Sequence, residues 1–418
     1  MKTVYDIMKE NDSERKMADF LVKQKQPFWF KRKYAEIRAQ EFVQMCEEHD
    51  KNYHVSVGGL DSIVLYIFLH SIGIKCPAIS VSSLEDKSIQ RVHRALGITA
   101  LHSAQKKDGT RYNKAKIIQE FGFPVISKEV AAKIELLQNP TEKNATVRHA
   151  IMTGQTGEYG GNRENSRMKL ADRWLELFAG YENANENTNY RIAPFRLSSK
   201  CCYYLKEKPC DQWAKEHNSV PFLGLMASEG GRREKSLKMH GCNYWGKSTV
   251  RSAPFAIFNR QDILRLALEM DEYYNAHKDD FAEKKFHVDT IVPAIYGEIS
   301  ARKRTLEEAE KYRKANLPSD TPLKECMEEL FTTKAQRTGC DMCGFGIQLE
   351  KRPHRFDLLH ERNPKAWEFW MCSCCTDENG EKYGWGRVLS YIGVPWEFDE
   401  NGNMLDLDKF CGGRAGKE

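Results

Sequence analysis

The stretch VSVGGLDS, residues 55–62, closes a short polar–apolar alternation and leads into the apolar run IVLYIFL at residues 63–69. A strand of period two thus hands over to a buried helix through two glycines, a spacer, an acid and a hydroxyl. Glycines at such a handover let the backbone approach an anion closely. The helix start that follows directs N–H groups and the positive end of its dipole toward the same place. Ser62 falls in the first turn, where its hydroxyl can donate to a phosphate oxygen. Asp61 suits an organiser of the loop or a ligand of magnesium. The same residues also suit a tight strand–helix connection that binds nothing, and the Walker A pattern G-x-x-x-x-G-K-[ST] is absent. The turn by itself leaves both readings open.

Working outward, the chain alternates. HVSV (54–57) reads as a strand, SIVLYIFLHSIG (62–73) as a buried helix ending at Gly73, and CPAISVSS (76–83) as a second strand. A helix through SIQRVHRALG (88–97), a short strand around TALHS (99–103), a strand in GFPVISKE (122–129) and the helix EVAAKIELLQ (129–138) follow. After an interruption the pattern resumes with SVPFLGLMA (219–227) as strand and RQDILRLALEM (260–270) as helix. This alternation predicts an α/β fold, a doubly wound and mainly parallel sheet covered on both faces. Residues 1–50 form a helical extension, with an amphipathic pattern from residue 13 on, and 51–320 the α/β domain. Within that domain, 140–195 is an inserted region of Asn- and Gly-rich loops, TGQTGEYGGNREN (153–165) and GYENANENTNY (180–190), suited to a lid or substrate loop. Residues 321–418 read as a small Cys-rich C-terminal module.

The chain has 418 residues, 41% hydrophobic and 29% charged, enough to bury a sizeable core in two or three structural units. Its net charge of +5 suits anionic ligands, and no Lys/Arg block marks a dedicated DNA-binding tail. The charged start has no apolar segment of a secretory signal, and no stretch approaches the roughly 20 apolar residues of a membrane span. A cytoplasmic protein with no membrane partner is expected. In that compartment the 13 cysteines point to metal binding or thiol chemistry instead of a disulfide framework. Cys340 and Cys343, in C-x-x-C spacing between glycines, can chelate one metal centre. Cys46 and Cys76 read as buried small hydrophobes, and Cys372, Cys374 and Cys375 in MCSCC as a surface thiol cluster. Lys128, Lys206 and the adjacent Arg232 and Arg233 are candidates to hold phosphate, the two guanidiniums beside a glycine pair being the better match to an oxyanion.

GGLDS after a strand resembles the PP-loop, S-G-G-x-D-S, of the ATP pyrophosphatase superfamily, with Val57 where that pattern has its first Ser and Ser56 one place earlier. SVSSLED (80–86), CCYYLKEKP (201–209), GLMASEGGRRE (224–234), TGCDMCGFGIQLEKRPHRF (338–356) and GWGRVLSYIGVPW (384–396) extend the likeness. Together they resemble the phosphoadenosine phosphosulfate (PAPS) reductase family, in the form carried by phages and mobile elements of Firmicutes. The resemblance implies an adenine nucleotide alpha-hydrolase-like fold and a site for ATP, PAPS or adenylylsulfate. Ser56, Gly58, Gly59, Leu60, Asp61 and Ser62 would line the phosphates, with magnesium offsetting charge. Ser82 and Glu85 would meet the adenosine, and Lys128 a phosphate. Asp61, Ser62, Arg232 and Arg233 would act in catalysis, the arginines on the departing pyrophosphate or sulfate.

The same likeness implies a [4Fe–4S] cluster on Cys201, Cys202, Cys340 and Cys343, with Lys206 and Arg337 compensating its charge. Cys242 is the alternative to one of the vicinal pair, and zinc the alternative to iron. It further implies adenylation-linked sulfur chemistry, with a sulfur donor or reductant protein as partner and nucleic acid as one possible sulfur acceptor. Two other readings stand beside this one. A thiol-dependent sulfonucleotide reductase would need an E-C-G-[IL]-H motif, and the chain has only Glu325-Cys326-Met327. A nucleotide-binding defence or antidefence factor that has lost catalysis fits Val57 and that missing motif. The oligomeric state is left open.

Overall fold

A computed structural model describes residues 4–155, 168–181, 190–247, 249–281, 286–336, 338–340 and 342–405, with the side chains of residues 4–11, of Ser13 and of Arg232 outside that set. Most of both loops expected to act as a lid, residues 156–167 and 182–189, likewise lies outside the described residues. The chain forms two compact units, each assembled from two stretches of sequence: residues 1–102 with 208–341, and 103–207 with 342–418.

The first unit begins with helices α1 (Val4–Gln24) and α2 (Phe28–Glu48). In α2, Lys31, Ala35, Ala39, Phe42 and Cys46 recur at helical spacing and are all buried, so this helix is part of the unit's core and not an extension from it. Then come β1 (Asn52–Ser56), α3 (Leu60–Ser71), β2 (Ala78–Ser80), α4 (Lys87–Ala95) and β3 (Thr99–Ala100). The second stretch supplies β4 (Ser219–Leu223), α5 (Gly231–His240), β5 (Asn243–Trp245), β6 (Val250–Ser252) and α6 (Arg260–Ala276). The strands form one sheet in the order β3-β2-β1-β4-β6-β5, parallel except for the antiparallel edge strand β5. The expected α/β class with a mainly parallel sheet is therefore present. Helix α3 is buried along Ile63–His70, which is why its sequence shows a continuous apolar run instead of an amphipathic period.

The second unit has its own core around Phe123, Phe178, Phe195, Phe356, Trp385 and Leu389. Here the expectation for GFPVISKE needs correction. Only Val125–Ile126 is strand, and it pairs in parallel with Gly344–Phe345, not with the six-stranded sheet. Gly344 is required at that crossing, because a Cβ there would fall 2.4 Å from the Trp385 ring. The C-terminal residues thus do not stand as a separate module; through residue 394 they share one core with residues 118–197. The MCSCC segment also differs from the surface thiol cluster expected. Cys372 is exposed, whereas Cys374 and Cys375 are buried with their sulfurs 3.9 Å apart. The hydrogen bond to Cys375, with burial adding to it, raises the Cys374 thiol pKa. No helix among the described residues is long and apolar enough to cross a membrane.

One buried ion pair fixes α2 against α6. Lys31 Nζ donates to Asp262 Oδ2 at 2.8 Å, with the two side chains 1% and 7% exposed. Asp262 also closes a reciprocal cap with Asn259, accepting from its backbone N–H at 2.8 Å and donating its own N–H to Asn259 Oδ1 at 3.0 Å. Removing the ammonium leaves a buried carboxylate uncompensated. Lys31→Ala should therefore lower unfolding stability by about 3–5 kcal/mol, as read by urea denaturation. A loss below about 1 kcal/mol would mean the pair behaves as a solvated surface bridge.

Candidate functional site

Strands β1 and β4 lie side by side, Ser56 opposite Leu223, and the chain leaves them in opposite directions across the sheet. From β1 it crosses through α3 to β2; from β4 it goes on to the far edge strand β5 and back to β6. Such a switch point opens a crevice at the carboxyl ends of the strands, the usual ligand position in sheets of this kind. The Gly58–Gly59 turn occupies it. Gly59 is the N-cap of α3, and a Cβ there would lie 2.6 Å from Tyr296 Oη and 3.2 Å from Thr338 Oγ1. A Cβ on Gly224, just beyond β4, would lie 3.0 Å from both Cα and N of Ser62. Glycine is thus required on both sides of the turn by close approach.

The turn is internally hydrogen-bonded. Ser62 Oγ donates to Gly59 O at 2.9 Å and accepts from Gly58 N–H at 2.8 Å. Leu60 N–H donates to Tyr296 Oη at 3.2 Å, and Tyr296 Oη is 2.6 Å from Thr338 Oγ1. Burial raises the Tyr296 phenol pKa, which keeps it a neutral hydroxyl. His93, almost fully buried, spans from the end of β2 to the turn: Nε2 is 2.8 Å from Gly58 O and Nδ1 is 2.9 Å from Ser82 Oγ. A carbonyl only accepts, so Nε2 carries a proton and donates to Gly58. Glu85 is buried next to the same turn, its Oε1 3.8 Å from where a Gly58 Cβ would be. Arg260, the first residue of α6, donates from Nη1 to Asp61 Oδ1 at 3.0 Å.

Gly58, Gly59, Asp61, Ser62, Ser82 and Glu85 all belong to the first unit, and several other expectations need adjustment. Ser56 is not in the turn; its hydroxyl is 3.4 Å from Nε2 of His54, a histidine whose pKa burial lowers to about 4. Leu60 contributes only backbone, since its side chain is 1% exposed, and its N–H is already taken by Tyr296. Val57 is buried in the core with its N–H on Ile79 O, so a hydroxyl there would face apolar neighbours. Arg233 is held by Glu229 through Nη1, at 2.7 and 2.6 Å to the two carboxylate oxygens. Lys128 belongs to the second unit, where it pairs with Glu207. Arg337 lies outside the described residues. The sequence reading missed His93, Arg260, Tyr296 and Thr338. Only Arg260 carried a local signal, the cap pattern Asn259–Asp262 around it.

Among the described residues, no group of three or more His, Cys, Asp or Glu side chains is placed to hold a metal ion. Cys340 belongs to the first unit, and Cys201, Cys202 and Cys343 to the second. Cys242 is buried beside Tyr34, and burial pushes its thiol pKa up to about 11, which disfavours the thiolate a metal needs. No step below is routed through a four-cysteine cluster. Cys326 is fully buried, with a thiol pKa raised by burial, and is not presented as a nucleophile.

The close approach at Gly59 gives a two-residue test. Gly59→Ala should destabilise the protein by about 1–3 kcal/mol through overpacking. Adding Tyr296→Phe removes the hydroxyl in the way and should recover most of that loss. Equal and additive losses in a thermal-denaturation double-mutant cycle would show that the two residues do not meet. Compared with family models, with curated proteins and with solved structures, the chain matches none.

Proposed function

We propose that the first unit binds ATP, or a related adenosine sulfonucleotide, with its phosphates at the Gly58–Gly59 turn. There it would activate an acceptor by adenylation, in the manner of the PP-loop enzymes that the sequence resembles. The observation that carries this reading is the strand–Gly–Gly–helix turn at the switch point between β1 and β4, where Gly59 and Gly224 let Tyr296 and the Ser62 backbone pack close against it. A phosphate there would meet the start of α3, a 12-residue helix whose dipole favours an anion. The Ser62 hydroxyl exchanges its bond to Gly59 O for a stronger, charge-assisted one to a phosphate oxygen, a net gain of about one ordinary hydrogen bond. Ser82 and Glu85, at the carboxyl end of β2, lie where the adenosine would extend.

In the reaction proposed, a nucleophilic atom of the acceptor attacks the α-phosphorus and the bond to the β-phosphate oxygen breaks. Pyrophosphate leaves with that electron pair, and the acceptor's proton passes to solvent. The carboxylates of Asp61 and Glu85 border the turn and would repel bare phosphates. Magnesium carried by the nucleotide supplies the compensating charge. A second reading, nucleotide binding without turnover, is favoured by one observation: Val57 is buried and offers the phosphates no hydroxyl.

Titration calorimetry with Mg–ATP, paired with a pyrophosphate-release assay, separates the two. ATP should bind, and Ser62→Ala should weaken it by about 1 kcal/mol, roughly fivefold, for one net hydrogen bond. Pyrophosphate release on adding thiol or nucleic-acid acceptors supports the enzyme. Binding with no release for any acceptor supports the second reading, and no ATP binding ends both.

A further inference from the structure

Arg260 presents an unfinished hydrogen-bonding pattern beside the turn. Its Nη1 is on Asp61, while Nε and Nη2 are buried and have no partner among the described residues. These two donors form one edge of the guanidinium fork, spaced to meet two oxygens of a single oxyanion. A guanidinium is always charged and cannot relieve the shortage by losing a proton. Buried donors left unmade are costly, and native structures leave few of them, so a pair on one edge calls for an acceptor that arrives from outside.

The fork is held in place by its surroundings. Arg260 opens α6 directly after the Asn259 cap, Asp262 closes that cap, and buried Lys31 fixes Asp262. At its other end, the ion pair to Asp61 sets the guanidinium next to Ser62 and the first turn of α3. The charge of both Arg260 and Asp61 is felt by the Tyr296 phenol, which bonds Leu60 N–H on the same turn. The ion pair thus brings a fixed positive charge to the first turn of α3, with the two-donor edge on the side of the guanidinium away from Asp61.

We propose that Arg260 is the residue that reads the terminal phosphates of the nucleotide: its Nε–Nη2 edge clamps a β- or γ-phosphate while Nη1 stays on Asp61. Asp61 is then a positioning residue that sets the plane of the fork. This inference rests on the nucleotide-binding reading and adds to it a preference for di- and triphosphates over the monophosphate.

The test is titration calorimetry of the full chain with ATP, ADP and AMP, for wild type, Arg260→Gln and Arg260→Lys. The wild type should prefer ATP and ADP to AMP. Arg260→Gln should lose about tenfold to a hundredfold in ATP affinity and keep its AMP affinity. Arg260→Lys should recover only part, since an ammonium retains the charge without the fixed pair of donors. Should Arg260→Gln fail to fold, the ratio of ATP to AMP affinity in Arg260→Lys decides, and it must fall. Wild type that binds ATP, with variants whose ratio is unchanged, overturns the role of Arg260 and leaves the loop reading intact. Wild type that binds none of the three overturns both.

Discussion

The candidate site depends on a lack of room. At Gly59 and Gly224 a single added carbon would strike Tyr296 on one side and the backbone of Ser62 on the other. With those two positions bare, β4 can run beside the end of β1 while α3 starts immediately after the turn. Any larger residue at Gly224 would push the first turn of α3 away from the strand ends and close the approach that an anion would use. The glycines here serve proximity; neither Gly59 nor Gly224 has a positive φ. That separates them from turn glycines such as Gly73, at φ 83°, whose role is conformational.

Around that bare turn the first unit arranges a polar ring whose members come from distant parts of the chain. His93 arrives from α4, Tyr296 and Thr338 from the segments after α6, and Arg260 from the start of α6 itself. His93 engages the carbonyl of Gly58, Tyr296 the amide of Leu60 and Arg260 the carboxylate of Asp61, while Thr338 meets the Tyr296 hydroxyl. The buried Lys31–Asp262 pair extends this order outward, because it fixes the helix start that carries Arg260. A helix near the N-terminus, remote in sequence from the turn, thus helps to place a charge beside it.

How much of this could be read in advance follows from the range of each interaction. The turn itself was legible, since strand, glycine pair and helix are neighbours in sequence and each has a local signature. Helix α3 was legible too, because a helix buried nearly all round leaves an unbroken apolar run. The strand at Val125–Ile126 was misassigned for the opposite reason. Its local pattern says strand but not which partner, and Gly344 lies more than 200 residues further along. The extent of each unit was hidden in the same way, because both are built from two separated stretches. The polar ring was least visible: His93 and Tyr296 sit in unremarkable local sequence, and only the fold brings them to Gly58 and Leu60. Cysteine spacing suggested a metal centre, yet spacing alone could not foresee the burial that raises the thiol pKa of Cys242 or that hides Cys374 and Cys375.

The central claim is that a nucleotide's phosphates rest on the turn from Val57 to Ser62. Amide hydrogen exchange with and without Mg–ATP measures this directly, because protection reports where backbone N–H groups gain partners or lose solvent access. The account predicts added protection concentrated in the peptides covering residues 57–63, with a smaller gain at 224–226 and 259–261. Protection that is absent there, or confined to other parts of the chain, would contradict it.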